Sequence, residues 1–407
     1  MLCMNESSSS AQCRELSLSS GGNHKRNSFY ATGEKLGCLL LKQLPDALHV
    51  GHYTPLIVPR EQFEIELPMP VKRYDRNGNL IVEPAILRRV CDGDLSVTQW
   101  RKELVIDIDI TDFVRFCQCD GMKRFCTTCW AHIEGSYLFL RHFLITVYGY
   151  REENILWVFS GCKGVHCLVN SSLALTLSEE QRKTLHSWLH IANGDDKAMD
   201  VFIRKLITEG ETEFVTQIEE FFENRVVNQC AIIQLEPFVR FALAQIARLS
   251  PSFVSLVANA WHSNTVLDDP TCSQSESFLG ERGQSLLKWR YLKNLEGDQR
   301  SIGSRNNLNA LSIKASTFIA FRFLYPMIDA GPMQFKHLAK APFSVHHTTN
   351  MIALPIRGET ILDFAPQFHA INLSQLTDNR LSNHATILER FSDAVSLMSH
   401  WIDHYNS

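Results

Sequence analysis

The sequence predicts a mixed α/β (α+β) fold in which a sheet-bearing core is split by an inserted, mostly helical segment. Three observations lead there: short strand-like runs before residue 170, a change to helical spacing from Ser178 onward, and a return to strand character in "APFSVHHTTNMIALPI". With 407 residues, 45% of them hydrophobic and 21% charged, the chain can bury a large core. Its 40 Lys+Arg and 44 Asp+Glu leave a net charge of −4, which gives no global nucleic-acid signature. A polyanion would have to be held locally, or with help from a partner. No run of 18 or more apolar residues exists, so no membrane span is expected.

The chain opens with "MLCMNESSSSAQCRELSLSSGGN", Ser-rich and without the apolar core of a signal peptide, so residues 1–24 are expected to form a disordered tail. Twelve cysteines in a chain with no secretory signal point to a reducing compartment, where clustered Cys ligate metal more readily than they pair. Folded sequence is expected from "NSFYATGEKLGCLLL", followed by the short strands "FEIELPMPV" and "GNLIVEP", bounded by Pro and Gly.

In "ELVIDIDITDF", residues 103–113, two acids interrupt an apolar strand. Residues i and i+2 of a strand share a face about 6 to 7 Å apart, so Asp107 and Asp109 stand side by side while Leu104, Ile106, Ile108 and Ile110 line the other face. Adjacent carboxylates on a half-buried sheet repel, and a divalent cation between them relieves that repulsion. A strand with a solvated polar face is the alternative for so short a motif.

Directly after it stands "CQCDGMKRFCTTCW". Cys117, Cys119, Cys126 and Cys129 have the spacing of two short knuckles able to present four thiolates tetrahedrally to one zinc, against the alternative of reduced core cysteines. Four protein ligands leave no position for water, so such a zinc is structural. His132 is a spare ligand candidate that falls on the following helix. "GSYLFLRHFLITVYGY" has the spacing of a buried helix, and "NILWVFSG" and "VHCLVN" follow as strands.

Between those strands lies "FSGCKGVHC". Gly161 and Gly164 let backbone N–H groups approach an anion, Ser160 offers a hydroxyl, and Lys163 and His166 offer charge and a hydrogen bond. A tight hairpin with an incidental His fits the same residues. "SEEQ" from Ser178 is a capping box, and Phe214, Ile218, Phe221 and Phe222 continue at helical spacing. Residues 176–325 are therefore expected to be helical, with a loop near "SNTVLDDPTCSQSES", and the core to comprise 25–175 and 326–407. In the second part of the core, "MIDAGPMQFKHLAKAPFSVHH" offers Asp329, Lys340 and His346, each unremarkable alone as a turn or loop residue. "ATILERFSDAVSLMSHWIDHY" closes the chain as an amphipathic helix, and no internal repeat is present.

Taken together, "KELVIDIDITDF", the four-Cys cluster ending in "CW", "WVFSGCKGVHCLV" and "APFSVHHTTNMIALPI" resemble, in order and spacing over roughly residues 25–360, the small catalytic subunit of the archaeo-eukaryotic DNA primases. The resemblance implies a mixed-sheet catalytic core with a zinc-binding knuckle at 117–129 and an inserted helical subdomain. It makes Asp107, Asp109 and Asp329 the ligands of two catalytic Mg²⁺ or Mn²⁺ ions, and Ser160, Lys163, His166, Lys340 and His346 the contacts of the incoming nucleotide. Lys25 or Arg26 takes the place of a phosphate-reaching Arg, and Glu66 that of a sugar-contacting Asp. The family turn usually reads Ser-Gly-Arg-Arg-Gly-Val-His; here Cys162 and Lys163 take the two Arg places and lose forked recognition of phosphate. Asp329 is followed by Ala-Gly-Pro and a segment about one residue shorter than usual, and a Ser-rich tail stands where the family has N-terminal helices.

The implied function is synthesis of short RNA primers from NTPs on a single-stranded DNA template, with a primase large subunit and DNA polymerase α as partners, in the nucleus if the source is eukaryotic. Two other readings stay open: a single-chain primase-polymerase of repair or damage bypass, and a non-catalytic structural subunit that keeps zinc and fold.

Overall fold

The computed structural model describes residues 101–407 except 114–115, 118, 120–125, 191–194, 264–279, 303–312, 335–336, 338, 347, 379 and 405–407, and before residue 101 the backbone of five strands. These are β1 (Cys13–Ser20), β2 (Asn23–Phe29), β3 (His52–Val58), β4 (Lys72–Tyr74) and β5 (Leu80–Val82), followed by the two-residue β6 (Arg101–Lys102). One antiparallel sheet has the order β2-β1-β3-β6, and β4 pairs with β5. Strand backbone at Cys13–Ser20 and from Asn23 departs from the expected disordered tail over 1–24: Leu16 and Leu18 alternate with Ser17 and Ser19, the period of a strand. Residues 1–12 and all of "FEIELPMPV" lie outside the described residues.

The central sheet has the order β10-β8-β9-β7 and is antiparallel throughout, built from β7 (Leu104–Asp109), β8 (Ile155–Phe159), β9 (Gly164–Val169) and β10 (Leu354–Ile356). β10 is much shorter than the strand-like run that announced it, because Pro342, a positive φ at Phe343 and a turn at His346–Asn350 break the segment into isolated bridges. The two faces of the sheet are covered differently. Leu104, Ile106 and Ile108 turn into the larger hydrophobic core, together with Val165, Cys167 and Trp157. On the other face Val105, Leu156, Val158 and Leu168 form a smaller core with Met398 and Trp401, at one end of the sheet only.

The helices are α1 (Thr127–Arg141), α2 (Ser172–Thr176), α3 (Glu179–Leu189), α4 (Asp196–Thr208), α5 (Thr212–Phe221), α6 (Glu236–Leu249), α7 (Val254–Ser263), α8 (Glu281–Ile302), α9 (Ala315–Leu324), α10 (Pro366–His369), α11 (Leu373–Thr377) and α12 (His384–Asp403). α3 starts where its capping box stands: Ser178 Oγ accepts from Gln181 N at 3.2 Å, and Ser178 N donates to Gln181 Oε1 at 2.8 Å. α1 ends in a π-turn over His142–Val147. The helical stretch shares its apolar interior with the sheet: Phe139 of α1 packs edge-on against Phe214 of α5 and Phe321 of α9, with centroids 5.4 and 5.3 Å away. No helix among the described residues is long and apolar enough to cross a membrane.

Candidate active site

The small core under α12 ends at Val105. Beyond it the same face of the sheet carries Asp107 and Asp109, so the strand passes from an apolar, covered end to an acidic, partly open one. Register then decides the neighbours. Asp107 stands opposite His166 and Asp109 opposite Gly164. The third acid arrives on the free edge of β7: Asp329 N donates to Asp107 O at 3.2 Å, an isolated antiparallel bridge between residues more than 200 apart in sequence. Asp329, which only resemblance joined to the pair Asp107 and Asp109, therefore meets them at one edge of the sheet.

Their electrostatics follow from crowding. Burial pushes the Asp107 carboxyl up to about 7, Asp109 and Asp329 add repulsion, and Lys340 and His337 oppose it. Burial likewise raises Asp112, with further repulsion from Asp109, Asp107 and Asp329. Asp109 Oδ1 accepts from Thr111 N at 2.8 Å and Thr111 Oγ1 at 2.7 Å, which caps a short 3₁₀ turn and swings Asp112 back toward the other acids. A cluster of this kind suits a divalent cation: oxygen donors and net negative charge, with a repulsion that Lys340 and His337 offset only in part.

The glycine turn between β8 and β9 closes the opposite side. Ser160 Oγ accepts from Gly164 N at 3.1 Å and from Cys162 N at 3.4 Å. Gly161 has φ +80°, and a Cβ there would lie 2.9 Å from Met351 O and 3.2 Å from His346 Cβ, so the turn sits directly against the loop that carries His346. Gly164 is tighter still: a Cβ would fall 1.9 Å from Ile108 O. Thr349 Oγ1 donates to Gly161 O at 2.6 Å, and Thr348 N and Thr349 N donate to His346 Nδ1 at 3.3 and 3.4 Å. Lys340 Nζ donates to Ser160 O at 2.7 Å. Its burial lowers it to about 8, against the raising influence of Cys162, Asp107 and Asp109.

His166 lies behind this arrangement, with Nε2 3.4 Å from Asp107 Oδ1. Burial and then Lys340 hold the imidazole down at about 4, so the contact joins a neutral ring to an acid and is not an ion pair. His166 and Lys340 thus stand beside the carboxylates, while Ser160 and His346 belong to the glycine turn and the loop packed on it. Lys163 is half-buried in the turn beside them, its carbonyl accepting from Ile110 N at 3.0 Å. Cys162 is also half-buried, within electrostatic reach of Lys340 and Asp109. Lys25 and Arg26 stand in β2, with side chains outside what is described, and Glu66 lies outside the described residues.

Sequence reasoning missed Asp112 and His337. A signal for Asp112 was present, a third acid in the same "DIDITD" run, but strand alternation puts it out of phase and only the 3₁₀ turn corrects that. His337 had no local signal.

The second cluster is sulfur. Cys117, Cys119, Cys126 and Cys129 place their thiols within 4.8 Å of one another. Sulfur separations of 3.1 Å (Cys117–Cys119 and Cys117–Cys129) and 3.4 Å (Cys119–Cys129) approach the about 3.8 Å edge of a tetrahedral zinc site with Zn–S of about 2.3 Å. The thiol of Cys129 holds Cys126 down to about 4 while Cys129 itself is pushed up, as expected where one thiolate is shared among close thiols. Cys126 also caps α1, its sulfur accepting from Cys129 N at 3.4 Å, so a metal here would fix the helix that underlies the sheet. His132 is not a fifth donor. It is buried, stacked 4.1 Å from Phe323 and 4.8 Å from Phe113, with Nδ1 3.0 Å from Phe323 O, and burial lowers it to about 4.

A family model for the DNA primase small subunit matches residues 106–357. The DNA primase small subunit of Saccharomyces cerevisiae is 23% identical over 293 residues, covering 69% of this chain and 64% of that protein. That of Drosophila melanogaster is 26% identical over 285 residues, covering 66% and 58%. The Schizosaccharomyces pombe protein is 23% identical over 276 residues, covering 65% and 54%. The match to these relatives therefore spans between about half and two thirds of their length.

Proposed function

Because the chain belongs to the DNA primase small-subunit family, we propose that it is a nucleotidyltransferase that joins ribonucleotides into short primers on single-stranded DNA. One observation supports this most directly: the backbone bridge from Asp329 to Asp107 adds a third carboxylate to the pair on β7, beside a turn rich in backbone donors. Asp107, Asp109 and Asp329 would hold two Mg²⁺ or Mn²⁺ ions, which when bound supply charge neutralisation at the α-phosphate and activation of the primer 3′-hydroxyl.

The chain's own residues do the rest. Ser160, Lys163 and the N–H groups of the turn bind phosphate oxygens, and Lys340, which already closes the turn through Ser160 O, adds a cation between turn and carboxylates. His346 contributes from the loop packed on Gly161. His166, neutral near pH 7, orients Asp107 without cancelling its charge. The four-cysteine cluster would bind one structural zinc.

With a net charge of −4, the chain suits a subunit that borrows part of its grip on DNA, so a primase large subunit and DNA polymerase α are the proposed partners and the nucleus the proposed site of action. The three assembled acids speak against a purely structural subunit. The test is primer synthesis on a single-stranded template with NTPs compared to dNTPs, with and without divalent metal. Metal-dependent products from NTPs support the proposal. A strong preference for dNTPs points to the single-chain repair polymerase, and absence of nucleotide binding in folded protein points to a structural subunit.

A further inference from the structure

Between Asp329 and Lys340 the described backbone has only turns and isolated bridges, yet this loop carries the third carboxylate and the lysine that meets Ser160. Without helix or sheet, its carbonyls need other donors. Two buried basic side chains provide them, of which burial lowers Lys102 to about 7 and Arg182 to about 10. Lys102, fully buried immediately before β7, donates from Nζ to Pro332 O at 2.8 Å, to His337 O at 3.2 Å and to Gln334 O. Arg182 of α3, 1% exposed, donates to Met333 O at 3.4 Å and, in the other direction, to Glu103 O at 3.1 Å and to Lys102 O. Four carbonyls of the loop, those of Pro332, Met333, Gln334 and His337, are therefore tied to the segment that leads into the strand carrying Asp107 and to α3.

An ammonium inside three carbonyls satisfies them all at once. An apolar side chain of similar length would leave them buried without donors, and the loop would have to move to reach water. Any such movement acts on Asp329, which among the described residues is linked to the sheet by the bridge to Asp107 O. Lys102 itself has no place at the reacting groups, since it is fully buried and its Nζ is taken up by loop carbonyls.

We infer that Lys102 is a positioning residue: it holds the loop from Asp329 to Lys340 in register with Asp107 and so sets the affinity of the three-carboxylate site for divalent cations. The inference rests on the metal-binding reading above. The experiment measures Mn²⁺ binding to the full chain without nucleotide, for wild type, Lys102→Met, Lys102→Arg, Asp329→Asn and the Lys102→Met/Asp329→Asn double variant.

Lys102→Met should weaken Mn²⁺ binding by about tenfold or more, as the loss of a group that orients a metal ligand does, with secondary structure and metal content of the cysteine cluster retained. Lys102→Arg should recover most of the affinity. On the Asp329→Asn background, Lys102→Met should add less than about twofold, because both changes act through the same carboxylate. Unchanged binding by Lys102→Met, or an equal further loss in the double variant, overturns the inference. Wild-type binding by Asp329→Asn overturns the metal reading instead. If Lys102→Met does not fold, Lys102→Gln keeps an amide donor but loses charge and reach; it should show a smaller loss of the same kind, and wild-type affinity there also overturns the inference.

Discussion

Asp107→Asn should stabilise the metal-free protein at alkaline pH while abolishing nucleotide addition. The carboxyl is pushed from its ordinary 3.8 up to about 7, first by burial and then by Asp109 and Asp329. That difference corresponds to about 4 kcal/mol at about 1.4 kcal/mol per decade. About a quarter of the side chain is open to water, which screens part of the repulsion, and the buried amide has its own desolvation cost. A net gain of about 2 to 3 kcal/mol remains. Because the folded-state value is raised, the acid's contribution to stability is fully present below about pH 4 and is lost as pH rises through about 7. The variant escapes that loss. Its Tm should equal wild type near pH 4, rise above it through the interval, and level off above pH 7 at a gain of about 3 °C for a chain of this length. Thermal unfolding in chelator across that pH range reads the curve, and adding Mg²⁺ should raise wild type only. A lower Tm for the variant at pH 8, or an equal Mg²⁺ response, would refute the crowded-carboxylate argument; retained polymerisation would refute the metal assignment.

Three further outcomes are expected. Cys162→Arg should lower the KM for NTP by about tenfold or more with the metal requirement unchanged, because a guanidinium facing phosphate forms charged hydrogen bonds worth about 1.5 to 3 kcal/mol; steady-state primer extension checks it, and an unchanged KM in folded protein withdraws residue 162 from the phosphate site. Gly164→Ala should destabilise by about 3 kcal/mol, since its Cβ would fall 1.9 Å from Ile108 O and must part β7 from β9; thermal unfolding with no loss would show that the strands yield freely. Elemental analysis should find one zinc per chain, and Cys129→Ser should remove it and lower Tm, because the metal links the cysteine loop to the first turn of α1; soluble, active protein without zinc would contradict this.

What the sequence by itself determined is whatever repeats over short distances. Alternation in "ELVIDIDI" put Asp107 and Asp109 on one face, the Cys spacing gathered four thiols, and Ser178 with Gln181 marked the start of a helix, because strand period, ligand reach and capping bonds all close within a few residues. The same local alternation in "LSLS" was outweighed by Ser content, and strand backbone there was missed. Tertiary structure decided the remainder. Asp329 joins the acids through one backbone bond, and Lys340 joins the turn through its side-chain ammonium on Ser160 O, neither of which leaves a periodic trace. Resemblance to a family named both residues, but only the folded chain shows what lies against the loop between them: Lys102 and Arg182, two basic side chains buried against its carbonyls. A charged residue next to a strand reads in sequence as an exposed end. Its burial is affordable only when distant carbonyls converge on it, and that convergence is a property of three-dimensional packing alone.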